Sequence, residues 1–283
     1  MIEILHPGIQ TTMQDRGRFG YRDQGVPLSG AMDQYSSLLA NHILGNQSNT
    51  AVMEFVLQGP KLYFKKAATV AITGGKWDVD LNGQEVELNQ LIYIPAFSTL
   101  WIKGIQKGMY GYFSVVGGFD LPKVLGSYSY YPNITKQSKL QKGDQLKFNE
   151  ECDHKKEAKT ASITPQNNLL FASELEVKPA PEYEQLSQKM RSNLLHTNFS
   201  PSKDSNRMAY PLVHHTTLSS SEITTGPVQA GTVQLTPSGN VIVLMRDAQT
   251  TGGYARVLQL TPMAINQLAQ KKPGDLFRFR LTD

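Results

Sequence analysis

Cysteine is almost absent: Cys152 is the only one in 283 residues. A disulfide framework is therefore excluded, and the chain suits a reducing compartment. Cys152 lies in the mixed-sign run EECDHKKEAK at 150–159 with only His154 near it, and reads as a bystander rather than a nucleophile. No uncharged apolar stretch approaches the roughly 18 residues a membrane helix needs, and MIEILHPGIQ lacks the basic and apolar regions of a signal peptide. A cytoplasmic location without membrane contact is expected. An excess of charge of one sign is lacking as well. The net charge is +4, and no Lys/Arg stripe interleaved with aromatics occurs, which disfavours nucleic acid as a partner. The common chemical signatures are also missing. TGGKWD at 73–78 lacks the spacing of a phosphate loop and the Ser/Thr after Lys76, and neither HExxH, CxxC nor GxSxG occurs. No metal site is expected, and His214-His215 reads as a surface pair.

Short β-rich segments are abundant instead. From residue 51 onward AVMEFVL, KLYF, TVAITG, WDVDLNGQEVEL, LIYIP, STLWIKG, GMYGYFSVVGG and DQLKFN follow one another, punctuated by Gly, Asn and Pro. This pattern predicts an all-β barrel or sandwich, not a doubly wound parallel sheet. Asn82-Gly83 predicts a two-residue hairpin. IEIL at 2–5, LLFAS at 169–173, SEITT at 221–225, residues 242–245 and 257–260, and the closing LFRFRL are further strand candidates. Helices are predicted over 31–44, capped by Ser29, over 182–195, and over 262–271. The resulting division is a β lobe over 1–150, a polar linker over 151–166 and a second β lobe over 167–283.

Two segments are too polar and too glycine-rich for ordinary packing. GIQTTMQDRGRFGYRDQGVPLSGAMD, from Gly8 to Asp33, carries five glycines among charged and amide side chains, and DAQTTGGY, from Asp247 to Tyr254, repeats the letters QTT. Such segments form either binding surfaces or loops that satisfy their own polar groups. Glu54, set among Ala51, Val52 and Met53, must find solvent, a partner or a site.

Three stretches then carry a family resemblance: GIQTTMQDRGR at 8–18 continuing through GVPLSGAMD and ANHILGN; SNRMAY at 205–210; and GTVQLTPSGN at 231–240 with DAQTTGGY and LAQKKPGD. The chain resembles the biotin-dependent carboxyltransferase family, also called the allophanate hydrolase subunit 2 family. That resemblance implies a mainly β protein of two cyclophilin-like β-barrel lobes with a few short helices. It also implies the C component of an ATP-dependent 5-oxoprolinase, opening 5-oxo-L-proline to L-glutamate together with the A component and a B component that is allophanate hydrolase subunit 1-like. No cofactor is expected on this chain alone; ATP is used by the complex. Two alternatives stand beside this reading: a regulatory binding protein that antagonises a kinase-inhibitor partner, and a carboxyltransferase served by biotin on another chain.

For the lactam-opening reaction, Arg16, Arg18 and Arg207 are the candidates to hold phosphate or carboxylate. Asp15 and Asp247 are candidates to orient water or accept a proton, so Asp15, Arg16 and Asp247 form the expected catalytic set. Gln14, Asn41, Gln249, Thr250 and Tyr254 are expected to contact substrate together with Arg18 and Arg207. The chain departs from the family pattern at Asn206, where an aspartate is usual, at Tyr128, where an arginine is usual, and at Ala264, where an acidic residue is usual. Arginines beside aspartates also often do no more than pair with each other.

Overall fold

A computed structural model describes residues 1–149 and 167–282. The expected linker over 151–166, with Cys152 and His154, lies outside the described residues. The chain divides into two compact units, residues 1–18 with 29–149, and residues 19–28 with 167–282.

The first unit is a nine-stranded sheet made of β1 (Ile2–His6), β2 (Gln10–Gln14), β3 (Val52–Val56), β4 (Lys61–Phe64), β5 (Ala68–Leu81), β6 (Gln84–Glu85), β7 (Ile92–Ile94), β8 (Ser98–Val115) and β9 (Gln145–Leu146). Its order is β2-β3-β8-β4-β1-β9, with β5 pairing β6, β7 and β8, and these pairings are antiparallel. The segments TVAITG and WDVDL are one strand, β5, as are STLWIKG and GMYGYFSV in β8. What looked like punctuation at Gly74-Gly75 is a run of register shifts within the β5–β8 ladder. Gly74 has φ 101°, and a Cβ there would meet the Tyr110 carbonyl at 2.5 Å, so only glycine fits. The predicted hairpin is present: Asn82 and Gly83 both take positive φ, 53° and 89°, as a type I′ turn between β5 and β6 requires. Inside the sheet Phe55 meets Trp77 edge-on at 4.8 Å, and Phe113 lies between Phe64 and Phe119.

The QTT-bearing start of the polar segment is not a loop. Gln10–Gln14 is strand β2, paired with β3, and Thr11, Thr12, Met13 and Gln14 are buried. Pairing with the apolar edge of β3 overrides the polar composition. Helix α1 spans Gln34–Ile43, and Asp33, not Ser29, caps it by accepting from the Ser36 amide. Ser29 lies five residues upstream with φ 56°, a left-handed conformation that cannot cap a helix starting at Gln34.

The second unit carries α2 (Asn167–Leu170), β10 (Glu174–Pro179), α3 (Gln188–His196), β11 (Ser200–Pro201), β12 (Ala209–Val213), β13 (Gly226–Pro227), β14 (Thr232–Leu235), β15 (Val241–Leu244), β16 (Thr251–Gly252), β17 (Ala255–Leu260), α4 (Pro262–Ala269) and β18 (Arg278–Leu281). Its seven-stranded sheet runs β11-β12-β15-β14-β17-β10-β18, with only β10–β18 parallel, while β13 and β16 form a separate ribbon. The fold class is thus mainly β, two curled half-barrel sheets with short helices. Phe199, Phe277 and Phe279 pack together in the core of the second unit.

Three local expectations give way here. LLFAS begins as helix α2, and the strand starts only at Glu174. SEITT at 221–225 takes no regular structure. The helix expected over 182–195 is a 3-10 turn at Tyr183–Gln185 followed by α3, because the Ser187 side chain caps the Met190 amide and restarts the helix. Helix α4 starts as expected, with Thr261 as N-cap and Pro262 in the first turn, but ends at Ala269.

Candidate functional site

Asp15 follows β2 and is buried. Its Oδ1 accepts from the Gly17 amide at 2.8 Å, Ser127 Oγ at 2.7 Å and Ser129 Oγ at 2.6 Å, and its Oδ2 accepts from the Tyr128 amide at 2.8 Å. The carboxylate therefore clamps residues 127–129 to the end of β2. Arg18 is fully buried and grips the same loop from the other side, donating to the carbonyls of Val124 at 3.1 Å and Ser129 at 2.7 Å. Gln14, also fully buried, donates to Thr12 Oγ1 and the Tyr130 carbonyl. The departure at Tyr128 falls within this clamp. There Tyr128 supplies a backbone amide to Asp15 while its ring lies under Lys123 at 5.0 Å.

Arg16 differs from its neighbours. It is exposed, and its side chain makes no hydrogen bond or ion pair among the described residues. Its backbone is nevertheless held: the Arg16 carbonyl accepts from Gln34 Nε2 at 3.2 Å, and a Cβ on Gly30 would press on Arg16 C and O at 3.0 Å. The guanidinium thus projects from a fixed loop.

Glu54 serves the approach to α1. It accepts from the Met32 amide at 2.7 Å and from the Tyr112 hydroxyl at 2.9 Å, and the Tyr112 oxygen accepts from the Asp33 amide at 2.7 Å. Burial, together with the Glu54 and Asp33 carboxylates, holds the Tyr112 hydroxyl well above the ordinary tyrosine pKa, so it remains a donor. Asn41 is buried in α1 and donates to the Thr50 carbonyl at 2.8 Å while accepting from Ser114 Oγ at 2.7 Å. A shallow hollow of about 370 Å³ on the outer side of α1, lined by Tyr35, Leu38, Leu39, His42, Asn46 and Ser48, contains none of the sequence-predicted residues.

In the second unit the structure joins the SNRMAY and DAQTTGGY stretches. Arg207 Nε donates to Asp247 Oδ2 at 2.8 Å and its second nitrogen to Oδ1 at 3.1 Å, and the Asp247 amide donates to the Arg207 carbonyl at 2.9 Å. Both side chains are only 11% exposed. For Asp247→Ala this bidentate, mostly buried pair predicts a loss of stability of about 2 kcal/mol, since removing one partner strands the other's charge. Thermal melts of Asp247→Ala check this, and an unchanged melting temperature refutes it. Asn206 Oδ1 accepts from the Met208 and Ala209 amides, a role that an aspartate oxygen would fill equally, so the amide preserves the turn. Ala264 is fully buried in α4, leaving no solvated place for a carboxylate. Gln249 and Tyr254 are exposed and Thr250 half-buried, with the Thr250 carbonyl accepting from the Val228 amide. Gln234 and the Arg256–Glu182 pair, bidentate at 2.9 and 2.7 Å, are polar features that sequence reasoning missed. Gln234 stands in the quoted GTVQL stretch, but its letters alone gave no sign of burial.

Among the described residues no group of three or more His, Cys, Asp or Glu is placed to hold a metal ion, and no helix is long and apolar enough to cross a membrane.

Two curled, mainly antiparallel sheets, each with a glycine-bearing polar motif fastened by carboxylates and guanidiniums, define the class. Residues 24–281 match the family described as carboxyltransferase domain, subdomain A and B, and the chain belongs to that family. Among its relatives, the C component of 5-oxoprolinase from Escherichia coli (strain K12) is 31% identical over 287 residues, covering 99% of this chain and 90% of that protein. Urea amidolyase of Saccharomyces cerevisiae is 45% identical over 129 residues, 45% of this chain and 7% of that protein. The crystal structure of TTHA0988 superposes with a TM-score of 0.88 at 27% identity, covering 99% of this chain and 55% of that one, so this chain spans about half its length.

Proposed function

We propose that this chain is the C component of an ATP-dependent 5-oxoprolinase, acting with the A and B components to open 5-oxo-L-proline to L-glutamate. The observation that carries this reading is the near end-to-end match to a 5-oxoprolinase C component, 99% of this chain against 90% of that protein. In this reading ATP phosphorylates the lactam oxygen, a first water adds at the activated carbon and the C–N bond breaks to free the amine and leave an acyl phosphate, and a second water hydrolyses that acyl phosphate to the carboxylate and inorganic phosphate. Arg16 meets the anion, and Gln249, Thr250 and Tyr254 contact the substrate. Asp247 acts with Arg207. Asp15, Arg18, Gln14 and Asn41 hold the backbone from which the first unit's contacts project.

A second reading, carboxyl transfer to urea from biotin carried on another chain, is favoured by the higher local identity of 45% to urea amidolyase. The two separate in one experiment. Coexpressed with the A and B components, the chain is expected to support glutamate formation from 5-oxo-L-proline with matching ATP hydrolysis, and to do neither alone. Turnover of ATP by the isolated chain, or biotin-dependent carboxylation of urea without lactam opening, would sink the proposal.

A further inference from the structure

The DAQTTGGY stretch forms half of a small ribbon over strand β14. Strands β13 and β16 pair only through Gly226↔Gly252 and Pro227↔Thr251, and Pro227 has no N–H to give the ladder. The neighbouring ties are the Val228 amide on the Thr250 carbonyl at 3.1 Å and the Ile223 amide on the Gly253 carbonyl at 3.4 Å. Val228 is also held by the Arg22 guanidinium on its carbonyl. A ribbon with so few bonds opens at little cost.

Beneath it lies Gln234, level with Arg256 on β17 and Ile242 on β15. Gln234 is 2% exposed, and its Nε2 has no hydrogen-bond partner among the described residues. The amide is aimed at the ribbon. A Cβ on Gly252 would come within 2.7 Å of Gln234 Nε2 and 3.3 Å of Val228 Cγ1. Gly252 does not take a positive φ, so the glycine there permits a close approach of β16 to the amide rather than an unusual backbone turn. The adjacent Arg256 is already engaged, by Glu182 and by the Pro227 carbonyl at 3.1 Å. A buried donor left unmade is costly, and folds keep such groups where a ligand or ordered solvent completes them.

We propose that Gln234 is the donor of a small-ligand subsite beneath the β13–β16 ribbon, and that it takes the carbonyl oxygen of a compact amide. The subsite rests on the 5-oxoprolinase reading and deepens it, since a lactam presents such an oxygen; urea presents one as well. The test uses the full ¹⁵N-labelled chain, titrated separately with 5-oxo-L-proline and with urea below denaturing concentrations. A saturable shift of the Gln234 side-chain NH₂ and of the Gly252 amide is expected with 5-oxo-L-proline. Gln234→Met, which fills the space without a donor, is expected to abolish the Gly252 shift without lowering the melting temperature. Gln234→Leu, which is close in size and carries no donor, replaces it if the methionine variant folds poorly. Shifts with urea alone uphold the subsite and remove the lactam reading. Absence of shifts with both ligands, or a Gly252 shift that persists in a folded Gln234 variant, overturns the subsite and leaves bound solvent as the amide's partner.

Discussion

Arg16→Ala is expected to slow glutamate formation by the assembled complex by about 10²-fold or more while leaving the melting temperature unchanged. The reason lies in how the residue is presented. Its side chain makes no hydrogen bond or ion pair within the described residues, so its loss removes none of these. Its backbone is fixed on both sides, by the Asp15 clamp on the Gly17 amide and by Gln34 on the Arg16 carbonyl. The fixed backbone holds the root of this side chain in one place while the unbonded guanidinium is free to close on an anion, and a charge brought against developing charge contributes strongly to rate. Arg16→Lys keeps the charge and loses the two-pronged geometry, so it is expected to recover part of the rate. Steady-state kinetics on the complex and melts of the isolated chain check both variants. Full activity in Arg16→Ala would take this residue out of the site.

Asp15→Ala is expected to do the reverse, lowering the stability of the chain by about 3 kcal/mol, or roughly 10 °C in melting temperature. Four donors converge on this one buried carboxylate, two hydroxyls and two backbone amides. Removing it leaves the Gly17 and Tyr128 amides to find other acceptors inside the protein, where hydrogen bonds to a charged group are worth more than neutral ones. Asp15→Asn keeps one acceptor but turns an NH₂ toward a donor, so an intermediate loss is expected. Activity should fall with the loss of the fold and recover at lower temperature, because the carboxylate acts through the loop it holds. An Asp15→Asn variant as stable as the parent would refute the clamp, and a rate loss at unchanged stability would return Asp15 to the chemistry.

These two residues are adjacent, and the contrast between them was not legible in the letters DR. Both are charged, both lie in a glycine-rich segment, and either could hold a ligand. Burial separates them, and burial depends on residues 124–129, more than a hundred positions away. The same holds for Arg207 and Asp247, forty residues apart, whose pairing fastens one motif to the other. Gln234 lies at the other extreme: a neutral amide in an apolar strand, given meaning only by the glycine that β16 lays over it.

Local information was sufficient where the cause is local. The Asn-Gly turn at 82–83 follows from two residues that tolerate positive φ, and the start of α4 from a threonine cap followed by proline. Frequent short β segments with few helical periods likewise determined a mainly antiparallel β protein, since parallel sheets need regular crossover helices. Tertiary structure decided the rest. It made strand β2 from the polar QTTMQ by pairing it with β3, fused neighbouring β segments across Gly74 into one long bulged strand, and moved the cap of α1 from Ser29 to Asp33. In the two strands the deciding contacts join residues distant in sequence, and composition carries no record of which distant partner a polar group will meet. For α1 the cap bond itself is local, but the Asp33 amide is held by Tyr112 and the Met32 amide by Glu54, and those holds fix where the helix can begin.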